Sequence, residues 1–309
     1  MKKECYIFSK PLQYFNIRNT DYRKRDTHKT LIVLGYFIDA KTFAEKIREH
    51  DDTWDKVVFL KNKYQEYLYL FFHRFENLFV EYDSTFVMGL LHKLGVYKRM
   101  YIFEEGYGSY RRDRIENPKG LKKWINKWTG VGSHVGFSRF LDGQYLYLPE
   151  LYKAQFPGYD KEIRTFEKLF NERVREELPL FQHLSGCYED FLSLSHQKIT
   201  IYLTTHDFNR EILETIIKES NQDELLYVKP HPHQRDLSLL EQYNLNVIRS
   251  NIMVEFLLVL LLENGNKLTV YHENSTAVIW FQHQIKDINM GKELKDYDIV
   301  ASYVKEHKL

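Results

Sequence analysis

Apolar residues along the first hundred positions follow two alternating periods. Short apolar runs at Cys5–Phe8, Thr30–Leu34, Trp54–Leu60 and Met100–Phe103 have the length and the β-branched or aromatic content of strands. Between them, residues 10–17, 40–49, 64–78 and 84–94 space their apolar positions three and four apart, as one face of a helix does. The rhythm breaks over 107–160, rich in Gly and Pro, which reads as an insertion or long loop. Lys161–Glu177 then reads as a charged helix and 189–196 as a linker. The rhythm restarts with strands at Ile199–Leu203, Leu225–Val228, Asn246–Ile248 and Lys267–Tyr271. Helices are expected at Asn209–Ser220, Leu237–Tyr243, Ile252–Leu262, Thr276–Phe281 and Glu293–Lys308. Strands alternating with helices imply parallel βαβ units. The pattern predicts an α/β chain of two units, each with its own parallel sheet, and a cleft between them. Residues 1–190 would form the first domain and 191–309 the second, with a last helix able to pack back on the first.

Composition narrows the classes. A length of 309 residues with 43% apolar content supplies two ordinary cores. A net charge of +1 argues against a binder of nucleic acid driven by bulk charge. Two cysteines, Cys5 and Cys187, exclude a disulfide framework and suit a reducing compartment. Both read as small buried hydrophobes. The basic opening has too few apolar residues after it for a secretory signal. The longest apolar stretch, Phe256–Leu262, is far short of the roughly 20 residues that span a bilayer. A cytoplasmic protein is therefore expected. Aromatics make up 16% of the chain, which suits carbohydrate contact, although many of these rings must be core.

Three motifs place ionisable or hydroxyl side chains where a strand-like run stops, the edge at which open α/β sheets bind ligands. Glu104-Glu105-Gly106 follows Tyr-Ile-Phe. Lys229-Pro230-His231-Pro232-His233 follows Leu-Leu-Tyr-Val. Glu273-Asn274-Ser275-Thr276 follows the run ending at Tyr271. Each has a plain explanation. The acids can be solvated, with Gly106 making the turn. Strand residues alternate faces, so only one of Glu104 and Glu105 can face a given ligand; the other pairs with a backbone group or a cation. The prolines hold an extended backbone that projects His231 and His233 to one side, as solvated imidazoles, a metal pair or an acid near pH 7. Ser275-Thr276 is first a helix cap and, compatibly, an anion site. No Gly-rich phosphate loop and no Gly-x-Ser-x-Gly elbow occurs. The Asp-x-Asp at Asp296–Asp298 follows no strand and reads as solvated surface. The basic segment Arg111–Lys127, with Trp124 and the nearby Trp128, reads as a solvated loop or as a contact for an anionic acceptor or membrane surface.

In this order, the acidic pair with glycine, the His-Pro pair and the Ser/Thr pair resemble the signature of bacterial sialyltransferases of the two-domain GT-B type. That group includes capsule polysialyltransferases and lipooligosaccharide sialyltransferases. Ser9-Lys10-Pro11-Leu12-Gln13 also looks like the first strand–loop of such enzymes. The resemblance implies two Rossmann-like domains with parallel sheets facing a central cleft. It implies a CMP-activated nine-carbon ulosonic acid as donor, a glycan acceptor, and metal-independent inversion with no further cofactor. Of the catalytic residues Glu104, Glu105 and His231, the first would be the general base and His231 the acid or charge partner of the departing CMP phosphate. Ser275 and Thr276 would hold that phosphate. Lys229, Pro232, His233, Asn274 and Thr205 complete the CMP site, and Ser9, Gln13 and Gly106 the donor or acceptor loop. CMP-sialic acid is the leading donor; Kdo, legionaminic and pseudaminic acids are alternatives. A metal-dependent hydrolase using Glu104, Glu105, His231 and His233, or a non-catalytic sugar-binding module, would represent different classes.

Overall fold

The computed structural model describes residues 1–309 except 25, 114, 116–117, 186–187, 206–207, 221–223, 232–233, 235–236 and 249–251. The chain divides into two compact units, Met1–Leu169 and Phe170–Leu309. This division precedes the expected break after 190. The helix from Phe170 belongs to the second unit, where Phe181 stacks on Phe256 at 4.3 Å.

In the first unit the strands are β1 (Lys3–Phe8), β2 (His28–Leu34), β3 (Lys56–Leu60), β4 (Phe75–Val80), β5 (Tyr97–Phe103), β6 (Gly143–Leu146) and β7 (Glu162–Thr165). The helices are α1 (Pro11–Arg18), α2 (Ala40–His50), α3 (Lys63–Phe72), α4 (Phe86–Lys93), α5 (Gly120–Thr129) and α6 (Pro149–Gln155). All described pairings are parallel, in the order β3-β2-β1-β4-β5-β6-β7. The strands before β4 build outward on one side of β1 and those after it on the other, so strand order reverses between β1 and β4. Alternate residues of β1 separate two cores. Cys5 and Ile7 join Leu78, Leu70 of α3 and Met88 of α4 in an aliphatic core. Tyr6 and Phe8 face the aromatic side, where Tyr6 stacks on Phe79 at 4.4 Å and Tyr22 on Trp54 at 5.0 Å. Much of the high aromatic content is thus interior packing.

The second unit holds α7 (Phe170–Ser185), α8 (Glu189–Leu192), β8 (Lys198–Leu203), α9 (Arg210–Glu219), β9 (Leu225–Lys229), α10 (Ser238–Glu241), β10 (Asn246–Val247), α11 (Val254–Glu263), β11 (Lys267–His272), α12 (Thr276–Ile279), β12 (Lys286–Asn289) and α13 (Lys295–Glu306). Its parallel sheet has the order β10-β9-β8-β11-β12, and the reversal falls between β8 and β11. Helix α11 is buried from Glu255 to Leu261, as a helix apolar on all sides must be. The expected linker at 189–196 contains α8. In this unit α13 reaches the α12 turn, where the Tyr297 hydroxyl donates to the Ser275 carbonyl at 3.3 Å.

Three expectations are corrected. Residues 64–78 are not one helix. The helix ends at Phe72, and Phe75–Val80 is a central strand whose first N–H donates to the Val96 carbonyl. An apolar run such as Phe75–Val80 fits either period, and pairing on both sides decides for the strand. Residues 107–160 are not a long loop, because they supply α5, β6 and α6. Lys161–Glu177 is strand β7 followed by the start of α7. Strand β12 was not expected.

Helices α4 and α5 meet at Gly89. A Cβ there would lie 2.2 Å from the Thr129 carbonyl oxygen and 3.0 Å from the Phe140 ring. Gly89→Val is therefore expected to lower stability by about 1–3 kcal/mol, more than any gain in helix propensity returns. Thermal melting measures it, and an unchanged melting temperature would show that α5 yields without cost.

Candidate active site

The reversal between β1 and β4 gathers polar side chains at the carboxyl ends of three adjacent strands. After β1, Pro11 starts α1. The Gln13 side-chain oxygen accepts from the Ser9 and Lys10 N–H groups at 2.8 and 3.0 Å, fixing this first loop. The Ser9 hydroxyl donates to Glu81, the residue after β4, at 2.6 Å, and Gln13 also donates to it. Burial pushes the Glu81 carboxyl up and the Glu105 charge adds to this, against Ser9, Lys10 and Gln13. Lys10 pairs with Glu105. Gly106, at φ +59°, makes the turn in the left-handed region.

The two acids of the pair lie in opposite environments. Glu105 is 40% exposed at its side chain. Glu104 is 3% exposed. The Glu104 carboxyl accepts from the Tyr147 N–H at 2.7 Å and from the Tyr110 hydroxyl. Its own backbone carbonyl accepts from Asn16 at 2.8 Å. Burial pushes Glu104 up to about 8, against the lowering effect of those two bonds. Glu104 thus ties β5 to α1 and the 147 loop, while Glu105 is the acid that meets solvent. The helical spacing of 64–78 hides the strand that Glu81 closes, so the sequence pattern alone does not single it out. The signal was present: Leu78-Phe79-Val80-Glu81 repeats the pattern of an apolar run closed by an acid.

In the second unit, the carboxyl ends of β8, β9 and β11 adjoin. Lys229 ends β9 and His231 follows two residues later. The His231 N–H donates to the Thr204 hydroxyl at 3.0 Å, and that hydroxyl donates to Gln234 at 2.9 Å. Thr204 therefore shapes the His231 turn. Lys229 is buried. Desolvation lowers it to about 8, partly offset by Glu255 on α11. Pro232 and His233 lie outside the described residues. Thr205 and Glu273 line a cavity of about 450 Å³ beside the start of α9, next to the β8/β11 reversal. Glu273 accepts from the Tyr202 hydroxyl at 3.0 Å.

After β11 the chain turns through Asn274, at φ +57°. The Asn274 amide donates to the Lys292 carbonyl and its oxygen accepts from Asn289, so its side chain holds the loop after β12. His272 is fully buried. Its Nδ1 accepts from the Ser275 N–H at 3.0 Å, so the ring proton sits on Nε2 and points to Asp287 at 2.6 Å. That N–H is spent on His272. The Ser275 hydroxyl makes no cap bond to α12.

A larger cavity, about 800 Å³, lies elsewhere in the first unit, toward the amino-terminal halves of β1, β4 and β5. Its polar groups largely bond one another: Tyr145 to Asp21 at 2.8 Å, Arg164 to Tyr101 at 3.0 Å. The strand-end clusters fit ligand chemistry better, because parallel sheets bind ligands there. Among the described residues, no three His, Cys, Asp or Glu gather as metal ligands would.

No protein-family model matches the chain, and no curated protein matches it. Solved structures share its fold. It is similar to the wall teichoic acid polymerase TagF (TM-score 0.50, 14% identity), with 90% of this chain and 67% of that chain covered. A second TagF structure gives 66% coverage of that chain. The chain thus spans about two thirds of TagF. It is similar to sucrose-phosphate synthase from Thermosynechococcus elongatus (TM-score 0.51, 8% identity; 99% of this chain and 89% of that chain). It is similar to UGT89C1 of Arabidopsis thaliana complexed with UDP-L-rhamnose (TM-score 0.50, 8% identity; 99% and 90%). The fold is GT-B, with two Rossmann-like domains.

The raised Glu104 has a measurable consequence. Its folded value of about 8 lies above the ordinary 4.5, so the stability it contributes is full below about pH 4.5 and is lost as pH rises through about 8. The loss is on the order of a few kcal/mol. Melting temperature should fall between pH 5 and 9, and fall less in Glu104→Gln, which keeps a neutral side chain throughout. Glu66, pushed up to about 7 by burial, contributes a decline common to both proteins. Parallel pH profiles would show that Glu104 does not hold its proton.

Proposed function

We propose that the chain is an inverting, metal-independent glycosyltransferase. It transfers sialic acid, or a close nine-carbon or Kdo-type relative, from its CMP-activated form to a glycan acceptor in capsule or lipooligosaccharide synthesis. What supports the reading is that each unit of this GT-B fold carries its ionisable cluster where its strand order reverses. One cluster is rich in carboxylates; the other offers a histidine, a buried lysine and a hydroxyl pair. The sequence resemblance supplies the donor class.

Glu105 is the general base in this proposal. The resemblance puts that role on Glu104, but Glu104 is buried and already accepts two bonds, whereas Glu105 meets solvent at the same strand end. Glu105 takes the proton of the acceptor hydroxyl as that oxygen bonds to the anomeric carbon. The bond from that carbon to the phosphate oxygen breaks, and CMP leaves with the electron pair. His231, Ser275 and Thr276 balance the charge that grows on the phosphate, which replaces a divalent metal. Glu273 and Thr205, beside the 450 Å³ cavity, suit ribose hydroxyls, as an acid at a strand end does in dinucleotide-binding sheets. The enzyme works in the cytoplasm, touching the membrane through Arg111–Lys127.

Release of CMP from a panel of CMP-ulosonic acids tests the donor class. Turnover of a CDP-alcohol alone would overturn the donor class while leaving the site. Glu105→Gln should lower turnover about 100- to 10,000-fold with donor binding nearly kept. Glu104→Gln, if folded, should lose far less. The reverse order would return the base to Glu104.

Activity should persist in excess EDTA. Loss on chelation, with recovery on added magnesium or manganese, would sink the charge arrangement and favour the hydrolase class.

A further inference from the structure

Helices α3 and α4 cover the aliphatic side of the first sheet, with α3 packed on α4 and α5 packed on α4 in turn. Their outward side is unusually apolar. Helix α5 exposes Leu121, Trp124 and Trp128, at 73%, 63% and 51%. The two indoles lie parallel, with centroids 6.4 Å apart. Helix α3 exposes Tyr64, Leu68 and Phe72. Phe86 and Leu94 are exposed at the two ends of α4. Isolated exposed apolar residues need no explanation, but a set of eight on three helices that pack in sequence does.

Charge identifies the occupant. The three helices contain one acidic residue, Glu66, which is buried. They contain Lys63, Lys93, Lys122, Lys123 and Lys127, and no Asp or Glu occurs from 118 to 141. The Lys93 ammonium sits 4.2 Å over the Trp128 ring. On the α5 wheel, Leu121, Trp124 and Trp128 share one side, with Lys122 on one flank and Lys123 and Lys127 on the other. A second copy would bring like charges together. Apolar and aromatic residues ringed by lysines suit the interface of an anionic bilayer, where the rings enter the headgroup region and each lysine meets lipid charge.

We propose that the α3–α4–α5 layer docks the protein onto an anionic lipid surface. This extends the contact from the 111–127 segment to three helices. It does not depend on the transfer chemistry, so either can fail without the other.

Vesicles containing phosphatidylglycerol, compared with pure phosphatidylcholine, test it by co-sedimentation and tryptophan emission. Trp54 and Trp280 are buried, so a spectral shift reports Trp124 and Trp128. Binding to the anionic vesicles with a blue shift, weakening as salt rises, is expected. Replacing Lys122, Lys123 and Lys127 with Gln should reduce binding at least tenfold, and so should Leu121→Ser with Trp124→Ser. The α3 pair Leu68→Ser and Phe72→Ser should weaken it several-fold. All these side chains are exposed, and unchanged melting shows that each variant folds. No binding, or equal binding to phosphatidylcholine, would overturn the proposal. Full binding by the α3 pair would overturn the three-helix face. A dimer in sedimentation analysis that Trp124→Ser dissolves would reassign the face to self-association.

Discussion

The pairing of β1 with β4 is the constraint on which the first unit depends. Every other strand extends away from that line, so the loops after β1 and β4 leave in opposite directions and their first residues are left facing each other. Ser9 meets Glu81 there at 2.6 Å although 72 positions separate them. The register is held from both faces, by Tyr6 stacked on Phe79 and by Cys5 packed with Leu78. A slip of one residue would exchange the two faces and bury Glu4 among the aliphatic side chains. The second unit reverses between β8 and β11, and Thr205 and Glu273 face the same kind of gap.

Around the first reversal, four carboxylic acids of the same intrinsic acidity are set apart by surroundings alone. Glu104 is sealed beneath Tyr110 and Tyr147 and pushed up to about 8. Glu66 is buried with one oxygen that has no partner among the described groups, and is pushed up to about 7. Glu81 is raised but hydrogen-bonded by Ser9 and Gln13. Glu105 keeps water and Lys10. Desolvation against bonding is the ordinary way in which one residue type comes to serve as scaffold in one place and as reagent in another. Here a sealed acid and a solvent-exposed one are consecutive residues, because the strand end turns one side chain inward and leaves the next outward.

The first unit is also asymmetric across its sheet. On the side of α1 and α2 the aromatic rings are interior. On the side of α3, α4 and α5 the aliphatic core lies beneath and large apolar residues lie outside. Gly89 lets α5 approach α4 to backbone contact. A helix with little of its own surface buried is thereby held to the unit, and its tryptophans remain outward.

The fold class was legible in the sequence, and so were the polar residues that close its strands. Alternating strand and helix periods required parallel α/β units, and the acids, the His-Pro turn and the Ser/Thr pair were visible as polar closures of apolar runs. Local patterning sufficed because a strand must end in something polar when its end meets solvent. It did not suffice for β4, β6, β7 or β12. Short runs such as Phe75–Val80 or Gln144–Leu146 carry no period long enough to separate strand from helix, and only hydrogen bonds from both neighbours make them strands. Nor could it rank Glu104 against Glu105 by burial, or find Glu81. Which of two adjacent side chains is buried depends on residues outside the motif: for Glu104, Tyr110 six positions on, and Asn16 and Tyr147 dozens of positions away. That burial, a property of the assembled core and not of the motif, separates a scaffold acid from an available one.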